Sequence, residues 1–327
     1  MLTNLLKDFL PIDVEQMRRP MFLQREEEDI QNCVASVNAG NGWKTIGRCP
    51  ICDGVDRTIL LARFGKQLAQ CNSCSVGYMT EFPSDTGDVY NDQSFLPSQV
   101  EVYLQNAQYR MQRFGMERLA IISHHLPNRP MNGLRILDVG CGTGWFLQLA
   151  QQQGADVYGV ELSKPLAEHT GQRLQIPVWT VPPDELIGVG QFDVITLFDL
   201  IEHVPDPVGL LRAVAHLLSP GGVSLIFTPN LESLGMSVLG PKSSLVRPAE
   251  HLFYFTKASF RKAAQAAGLE VISSETRGTD IADIYSYYRD AGKSDTADFL
   301  KENGDPLQAI VDMAGWANHM RFVLGHQ

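Results

Sequence analysis

The chain has 327 residues, 44% of them hydrophobic, which exceeds one average domain and is enough to bury a full core. Its formal net charge of -10 disfavours a broad nucleic-acid-binding face, although a local basic groove remains compatible with it. No apolar run reaches the roughly 18 to 20 residues of a membrane span.

Residues 1–45 are expected to form a helical arm. The segment MLTNLLKDFLP carries Lys7 and Asp8 inside its apolar stretch and has no small-residue cleavage site. It therefore predicts an amphipathic helix rather than a signal peptide. A solvated, charged helical segment around Arg25 is expected to follow. These features favour a cytoplasmic protein that does not act at a membrane.

Residues 46–80 contain four of the six cysteines, in two C-x2-C pairs: Cys49 with Cys52, and Cys71 with Cys74. Each pair can place two thiolates on one ion, and the segment between the pairs predicts a β-hairpin that brings them together. The pattern resembles a zinc ribbon. Because cysteine fills all four positions, the predicted Zn²⁺ is structural rather than catalytic. Two disulfides are the alternative, which a chain without a secretion signal disfavours.

Residues 81–130 are expected to form a linker and a helical cap. A helical pattern runs from Gln99 to about His125, and Pro127, Pro130 and Gly133 end it. We expect this helix to join the ribbon to the following sheet and to cover a cofactor pocket there.

The stretch LRILDVGCGTGWFLQLAQQQGADVYGVELS predicts a βαβ unit. An apolar strand, Ile136–Val139, is followed by a glycine-rich turn, a helix, and a second strand that ends at Glu161. Gly140 and Gly142 permit a tight turn and close approach of a ligand. The glycines alternate, which is not the G-x-G-x-x-G spacing that seats a pyrophosphate. Glu161 stands where a carboxylate can accept the hydroxyls of a ribose.

Strands and helices continue to alternate beyond this unit. The predicted strands are Val178–Thr180, Phe192–Phe198, Val223–Phe227 and Leu269–Ser274, and the predicted helices are Leu166–Arg173, Val208–Leu218 and Lys257–Ala267. This order predicts a doubly wound, mostly parallel α/β sheet, in which ligands bind at the carboxyl ends of the strands. We therefore expect the chemistry at Gly140, Glu161, Asp199–His203 and Thr228–Asn230.

The string LDVGCGTG followed by GVELS resembles the S-adenosylmethionine (SAM) site of class I methyltransferases. The segments DLIEHVPDP and HLFYFTKASFRKAAQAAGLEV resemble a methyltransferase group that includes ubiquinone-pathway O-methyltransferases and bacterial enzymes acting on sugars or secondary metabolites. A zinc-ribbon-like segment ahead of such a domain is familiar among bacterial methyltransferases. The resemblance implies a Rossmann-like SAM-dependent methyltransferase domain over residues 131–276.

The resemblance also implies which residues bind SAM. Asp138, Gly140 and Gly142 would line the methionine portion, and Glu161 would bind the ribose. Leu162 would pack on adenine, and Asp199 would lie near the methionine amino group. The loop after the third strand, VPPD, departs from the family pattern and leaves the other adenine contacts open.

The expected reaction is methyl transfer from SAM to a small organic acceptor, a sugar, glycan precursor or secondary metabolite, most simply at oxygen. Histidine suits the role of a base for an O–H group, and His203 and His251 are the candidates, expected to flank the transferred methyl. The long segment between Asn230 and Lys257 is expected to form a lid. Its aromatics, Phe253–Phe255, either contact the acceptor or anchor the loop.

The sequence is also compatible with two other classes of function. One is an RNA methyltransferase that grips RNA with the ribbon, which the acidic balance and the lack of a Lys/Arg run disfavour. The other is a catalytically silent SAM-fold protein that binds a partner, which the intact glycine turn and Glu161 disfavour. The tail after Ser274 shows helical periodicity, so residues 277–327 are expected to form a helical extension and the sheet to lack its usual seventh strand. Nothing in the residues indicates an oligomeric state.

Overall fold

A seven-stranded β-sheet is the largest element of the computed structural model, which describes residues 11–17, 22–85 and 106–327. The chain divides into two units. The first unit comprises Met1–Val89, Thr228–Phe260 and Ser274–Arg321, and the second comprises Tyr90–Phe227, Arg261–Ser273 and Phe322–Gln327. The helix expected within residues 1–10 and the start of the one expected from Gln99 lie outside the described residues. The domain boundaries drawn from the sequence stay predictions.

The second unit contains the alternation of strands and helices that the sequence predicts. Its strands are β6 (Arg135–Val139), β7 (Asp156–Val160), β8 (Val178–Trp179) and β9 (Phe192–Phe198), followed by most of β10 (Leu218–Pro229) and parts of β12 (Leu269–Arg277) and β13 (His319–His326). Its helices include α3 (Ala107–Arg110), a π-turn (Met111–Gly115), α4 (Met116–His125), α5 (Trp145–Gln152), α6 (Lys164–Leu174) and α7 (Pro207–Leu217).

The strands lie in the order β12-β13-β10-β9-β6-β7-β8. The pairs β6–β7, β6–β9, β7–β8 and β9–β10 are parallel, so their carboxyl ends meet at one edge. The middle strands are almost continuously buried and apolar, as expected for parallel strands covered on both faces. The predicted doubly wound α/β sheet is confirmed.

The prediction that the sheet lacks a seventh strand is wrong. Strand β13 lies between β10 and β12. At one end Asn230 N donates to Asn318 O, and at the other His326 Nε2 lies 3.0 Å from Leu218 O, so β13 runs antiparallel to β10. The tail contains the expected helices, but it ends in a strand.

Helices α4 and α5 pack on the sheet through one apolar cluster. Ile122, Leu147 and Ala150 are fully buried there, against sheet residues such as Ile136 and Val194. Burial of each large side chain contributes about 1.5–3 kcal/mol. The approach is close, because a Cβ at Gly115 would lie 2.5 Å from Leu149 Cδ2. This packing fixes the helix that follows the glycine turn.

The first unit contains the cysteine-rich segment and the loops around it. Its elements are α1 (Val14–Met17), α2 (Phe22–Ala39), β1 (Trp43–Thr45), β2 (Arg57–Arg63), β3 (Lys66–Cys71), β4 (Gly77–Met79), β5 (Glu81–Pro83), α8 (Leu234–Leu239), β11 (Phe253–Tyr254), α9 (Lys257–Ala266, running into the second unit), α10 (Asp280–Asp290), α11 (Ser294–Glu302) and α12 (Gly304–Ala314). Strands β2 and β3 form the predicted hairpin. Strand β11 joins the same sheet, in the order β11-β4-β3-β2, by pairing with β4.

Candidate active site

The glycine turn stands at the carboxyl end of β6, in the middle of the sheet. Gly140, Gly142 and Gly144 all have positive φ angles, of 74°, 53° and 68°. Such angles are open to glycine and unfavourable for other residues. The amides of Gly140 and Cys141 both donate to Val160 O, which ties the turn to the end of β7.

The surroundings of the glycines differ. A Cβ at Gly144 would lie 2.6 Å from Thr170 Cγ2, and one at Gly140 would lie 3.0 Å from Leu200 Cδ1. A Cβ at Gly142 would meet nothing within 4 Å. Packing and φ therefore require glycine at positions 140 and 144, whereas φ alone requires it at 142. The backbone at Gly142 forms an open cradle that a ligand can approach closely.

Glu161 follows β7 and is bonded to the turn. Its Oε2 accepts from Gly142 N at 3.1 Å, and its Oε1 accepts from Ser163 N at 2.9 Å. Burial raises the pKa of Glu161, while the hydrogen bonds from Ser163, Gly142 and Leu162 oppose that rise. The structure thus brings Glu161 and Gly142 together.

Asp138 lies inside β6 and is only 4% exposed. Thr196 Oγ1 donates to its Oδ1 at 2.6 Å. Burial raises the pKa of Asp138 to about 7, and the bond from Thr196 and the positive charge of Arg118 act against that rise. Asp138 is therefore a buried carboxyl directly beneath the glycine turn, poised between its neutral and charged forms near neutral pH.

Arg118 of α4 is a site residue that the sequence did not reveal. Its guanidinium carbon lies 3.6 Å from the ring centre of Phe198, 4.6 Å from that of Trp145 and 5.2 Å from that of Phe227. Such cation–π contacts stabilise a buried cation. This positive charge offsets part of the cost of a carboxylate at Asp138.

Three more residues brace the turn, and no motif marks them. Thr170 Oγ1 donates to Gly142 O at 2.7 Å, and Arg173 Nη2 donates to Thr143 O at 2.6 Å. Both come from α6, more than twenty residues further along the chain. Thr196, on β9, holds Asp138. Only contacts between separate elements identify these residues.

Leu162 lies just beyond the end of β7 and Asp199 just beyond the end of β9, the two strands that flank β6 in the sheet. Leu162 is 61% exposed. Asp199 follows β9 with a φ of 54°, a left-handed conformation that aspartate tolerates at some cost. Its amide donates to Phe227 O, which holds the strand end in place.

His203 ends a short 3₁₀ turn, Ile201–His203, beyond β9. Its side chain is 18% exposed, and its Nε2 lies 3.8 Å from an oxygen of the buried Glu202. This histidine belongs to the second unit, with the glycine turn.

His251 belongs to the first unit and is 8% exposed. Its Nδ1 lies 2.8 Å from Leu245 O. A carbonyl oxygen only accepts, so the ring donates from Nδ1 to Leu245 O. The ring also packs edge-on against Tyr254.

The aromatics next to His251 anchor their loop rather than lie open to an acceptor. Phe253, Tyr254 and Phe255 are each 0% exposed. Phe253 packs edge-on against Phe82, and Phe255 packs edge-on against Phe260. Of the two roles considered from the sequence, the structure favours packing.

Asn230, expected among the reactive positions, is likewise structural. It is 1% exposed, its Nδ2 donates to Ala317 O at 2.9 Å, and its Oδ1 accepts from Glu232 N at 3.0 Å. These bonds tie the end of β10 to the residues before β13.

The four cysteines of the two C-x2-C pairs meet in the first unit. Cys49 Sγ lies 3.5 Å from Cys74 Sγ, Cys52 Sγ lies 3.5 Å from Cys71 Sγ, and all four sulfurs lie within 4.8 Å of one another. A disulfide requires about 2.05 Å, so these are four separate thiols. The bond with Cys74 lowers the pKa of Cys49 to about 5.

Both cysteine pairs sit in equivalent turns. The amide of Asp53 donates to Cys49 O, the amide of Ser75 donates to Cys71 O, and both Asp53 and Ser75 have left-handed φ angles. Tetrahedral zinc with Zn–S bonds of about 2.3 Å separates its sulfurs by about 3.8 Å. The donor set and the sulfur spacing therefore fit one tetrahedral metal ion.

The open glycine cradle, the carboxylate at the end of β7 and the sheet order with its antiparallel seventh strand define a class I SAM-dependent methyltransferase. A family model described as "Methyltransferase domain" matches residues 103–274, and the chain belongs to this family.

Curated relatives agree with this assignment. The chain is 33% identical over 177 residues to a protein of Bordetella avium named ubiquinone biosynthesis O-methyltransferase, covering 50% of this chain and 73% of that protein. A protein of the same name from Aeromonas salmonicida is 31% identical over 183 residues, covering 52% of this chain and 76% of that protein.

Among solved structures, magnesium protoporphyrin IX methyltransferase from Synechocystis PCC 6803, with bound SAH, is similar with a TM-score of 0.49 and 16% identity, covering 73% of this chain and 97% of that chain. Mitomycin 7-O-methyltransferase is similar with a TM-score of 0.48 and 13% identity, covering 75% of this chain and 61% of that chain. Within residues 11–17, 22–85 and 106–327, no helix is both long and apolar enough to cross a membrane.

Proposed function

We propose that this enzyme transfers the methyl group of SAM to a hydroxyl of a small organic acceptor. The observation that supports SAM as the methyl donor is the hydrogen bond from Gly142 N to the Glu161 carboxylate at the end of β7. Support for oxygen as the methylated atom comes from the relatives, which are named O-methyltransferases. A sugar, a glycan precursor or a secondary metabolite is the proposed class of acceptor.

The proposed SAM-binding residues share one edge of the sheet, where β6, β7 and β9 end. Asp138, Gly140 and Gly142 would line the methionine portion, Glu161 the ribose, Leu162 the adenine, and Asp199 the amino group. Glu161 fits this role because a carboxylate has about four lone-pair sites, which the backbone donors of Gly142, Ser163 and Leu162 do not use up. The 61% exposure of Leu162 fits contact with a flat ring.

Bound SAM supplies an electrophilic methyl group with a good leaving group, so the chain's task is chiefly alignment of the acceptor. An acceptor hydroxyl must also lose a proton. We propose His203 and His251 as the candidate bases. His251 is supported by the contact between its Nδ1 and Leu245 O, which holds the buried ring in place. His203 is supported by the buried carboxylate of Glu202 beside its ring.

We further propose that Cys49, Cys52, Cys71 and Cys74 hold one structural Zn²⁺. The proposal is supported by four sulfurs within 4.8 Å of one another and by the matching turns that carry them. With cysteine at every position, no ligand site is left for a catalytic water. The metal would stabilise a segment that has little apolar core of its own.

The test is turnover with labelled SAM against a panel of hydroxylated aromatics and sugars, scored by a mass gain of one methylene. On the acceptor so found, alanine at the true base should lower kcat by roughly a hundredfold or more, with SAM affinity nearly unchanged. Near-normal turnover in both His203→Ala and His251→Ala would show that alignment alone drives the reaction. SAM binding with no product from any hydroxyl acceptor would count against O-methylation.

A further inference from the structure

Helix α12 exposes apolar side chains and buries polar ones. Gln308 and Asp312 are 7% and 9% exposed, whereas Ile310 and Met313 are 51% and 63% exposed. A surface helix ordinarily turns its apolar stripe to the core and its polar residues to water. The outward side of α12 therefore has the composition of a covered surface.

Buried polar bonds fix the rotation of α12 about its axis. Gln308 Oε1 accepts from Ile281 N at 3.0 Å, and Gln308 Nε2 donates to Asp312 Oδ1 at 2.9 Å. The same Oδ1 accepts from Gly278 N at 3.1 Å. Rolling the helix to bury its outward side would break these bonds and leave their partners unsatisfied. The apolar side is therefore held toward the surface.

Trp316 continues this surface just beyond the end of α12. The amide of Gly315 donates to Asp312 O at 3.1 Å, and that of Trp316 donates to Val311 O at 3.0 Å, which are the two bonds of a Schellman motif. Leu234 N donates to Trp316 O at 2.8 Å. The backbone is thus fixed, while the indole is 58% exposed. Tryptophan on a fixed backbone is typical of the residues that anchor interfaces.

The outer face of α12 consists of Ile310, Met313, Ala314 and Trp316. Ile310 lies three residues before Met313 and four before Ala314, so the three are neighbours on one side of the helix. In this helix, which the structure describes throughout, the exposed positions are Asp305 and then Ile310, Met313 and Ala314. An apolar patch of this kind marks an interaction surface.

The charges at the two ends of α12 are complementary to each other. Asp305 is exposed in the first turn. At the other end a Cβ on Gly315 would lie 2.7 Å from Lys257 Nζ. In an antiparallel pair of α12 helices centred on Ile310, Asp305, five residues before the centre, would lie opposite Gly315, five residues after it. Each copy's Asp305 would then approach the other copy's Lys257.

This complementarity fits a second copy of the chain better than a partner of one charge sign. A two-fold interface uses the same patch on both subunits and must be self-complementary. The apolar centre brings no like charges together, and antiparallel helix dipoles oppose each other favourably. The net charge of -10 disfavours an anionic lipid surface as the occupant.

We propose that the outer face of α12 binds the same face of a second copy of this chain, as an antiparallel two-fold helix pair centred on Ile310. Ile310 and Met313 would form its core, Trp316 would anchor each flank, and Asp305–Lys257 pairs would close its ends. A standard interface buries about 800 Å² on each partner, and a few side chains cover less. The dissociation constant should therefore lie at about 1–100 µM. This interface is independent of the assigned reaction.

Sedimentation velocity of the full chain, from below to above the micromolar range, tests the interface. Wild type should show a reversible monomer–dimer equilibrium. Ile310→Glu should raise the dissociation constant at least about tenfold, the effect of losing one anchor. Met313→Glu should do the same and serves if Ile310→Glu does not fold. Ile187→Glu is the matched control, because Ile187 is a 91% exposed isoleucine of the other unit, and it should match wild type.

A charge swap tests the antiparallel arrangement. Asp305→Lys and Lys257→Asp should each raise the dissociation constant about two- to fivefold, the scale of a rim ion pair. The double variant should return it to near the wild-type value, because the pair is restored with its signs reversed. A dimer that Ile310→Glu dissociates but the double variant does not restore overturns the antiparallel pairing.

Three further results would overturn the proposal. The first is a wild-type chain that stays monomeric over the whole concentration range. The second is a dimer that neither Ile310→Glu nor Met313→Glu weakens. The third is a monomer whose tryptophan emission shifts to the blue with vesicles of anionic phospholipid, a shift lost in Trp316→Phe, which would assign the outer face of α12 to a membrane surface.

Discussion

Replacing Glu161 with alanine should weaken SAM binding by about 1.5–3 kcal/mol, the worth of hydrogen bonds to a charged group. Each oxygen of this carboxylate already accepts one backbone N–H, from Gly142 and from Ser163. The backbone of Leu162 adds a third hydrogen bond, and the carboxylate, with about four lone-pair sites, can still accept from a ribose hydroxyl. The expected loss corresponds to an increase of roughly 10- to 150-fold in Kd.

The same substitution should also loosen the turn, because two backbone donors lose their acceptor. Each such bond contributes about 0.5–1.5 kcal/mol or more, so the free energy of unfolding should fall by about 1–3 kcal/mol. Calorimetric titration with SAM gives the first quantity, and denaturant unfolding of the ligand-free protein gives the second. Glu168→Ala, an exposed carboxylate on α6, is the matched control and should change neither. Unchanged SAM affinity in a folded Glu161→Ala variant would refute the ribose assignment.

The remaining predictions concern a buried carboxyl, the metal and the seventh strand. Because the folded-state pKa of Asp138 is about 7, well above the ordinary value, its proton stabilises the fold at acid pH and that stabilisation is lost as pH rises through 7. The free energy of unfolding of Asp138→Asn, relative to that of wild type, should therefore rise by on the order of 2.5 kcal/mol as the pH is raised from about 5 to about 8. A difference that does not change with pH would contradict the burial argument. Elemental analysis should find one zinc per chain, lost in Cys71→Ser but retained in Cys33→Ser, with SAM affinity intact in both; wild-type protein purified without chelator and lacking zinc would speak against the site. Asn230→Ala should lower the free energy of unfolding by about 1–3 kcal/mol, since it leaves the buried Ala317 carbonyl and the Glu232 amide without this partner; a change of only a few tenths would mean that water replaces the side chain.

The βαβ unit around the glycine turn was predictable because its signals are local. The strand expected at Ile136–Val139 is observed as Arg135–Val139, and the turn glycines adopt the positive φ angles that motivated their assignment. The cysteine hairpin was predictable for the same reason, since two C-x2-C pairs and a turn specify it within a few dozen residues. Both are cases in which residue type and spacing determine the backbone directly.

The residues that brace the site could not be found this way. Arg118 is one polar residue in an amphipathic helix, and only the fold brings its guanidinium over Phe198. Thr196 lies in an apolar strand, and the sequence alone does not indicate that its hydroxyl has a specific partner. Only the structure shows that it donates to Asp138. Their roles depend on pairing between strands and helices far apart in the chain, for which a single sequence carries no periodic signal.

Strand β13 was missed because its pattern is ambiguous. Residues Met320 to Gly325 are all buried, so the strand shows none of the alternation that marks a half-exposed one. Apart from Arg321 the run is apolar, and a short run of this kind is compatible with either a buried strand or the last turns of a helix. The signal that separates the two is Gly315, which ends α12 in a left-handed conformation.

A buried polar junction, rather than the pattern of apolar residues in the strand, places β13 between β10 and β12. Asp280 accepts from Gly235 N and from Asn318 N, both at 2.8 Å, while Asn318 O accepts from Asn230 N. Asp280 is 0% exposed, so each of these bonds forms away from water, where leaving it unmade would cost about 1–3 kcal/mol. One carboxylate and three amide N–H groups therefore join α8, the end of β10, the start of β13 and the first turn of α10. Register at this corner follows from hydrogen-bond satisfaction, and for that reason hydrophobic periodicity alone could not have predicted it.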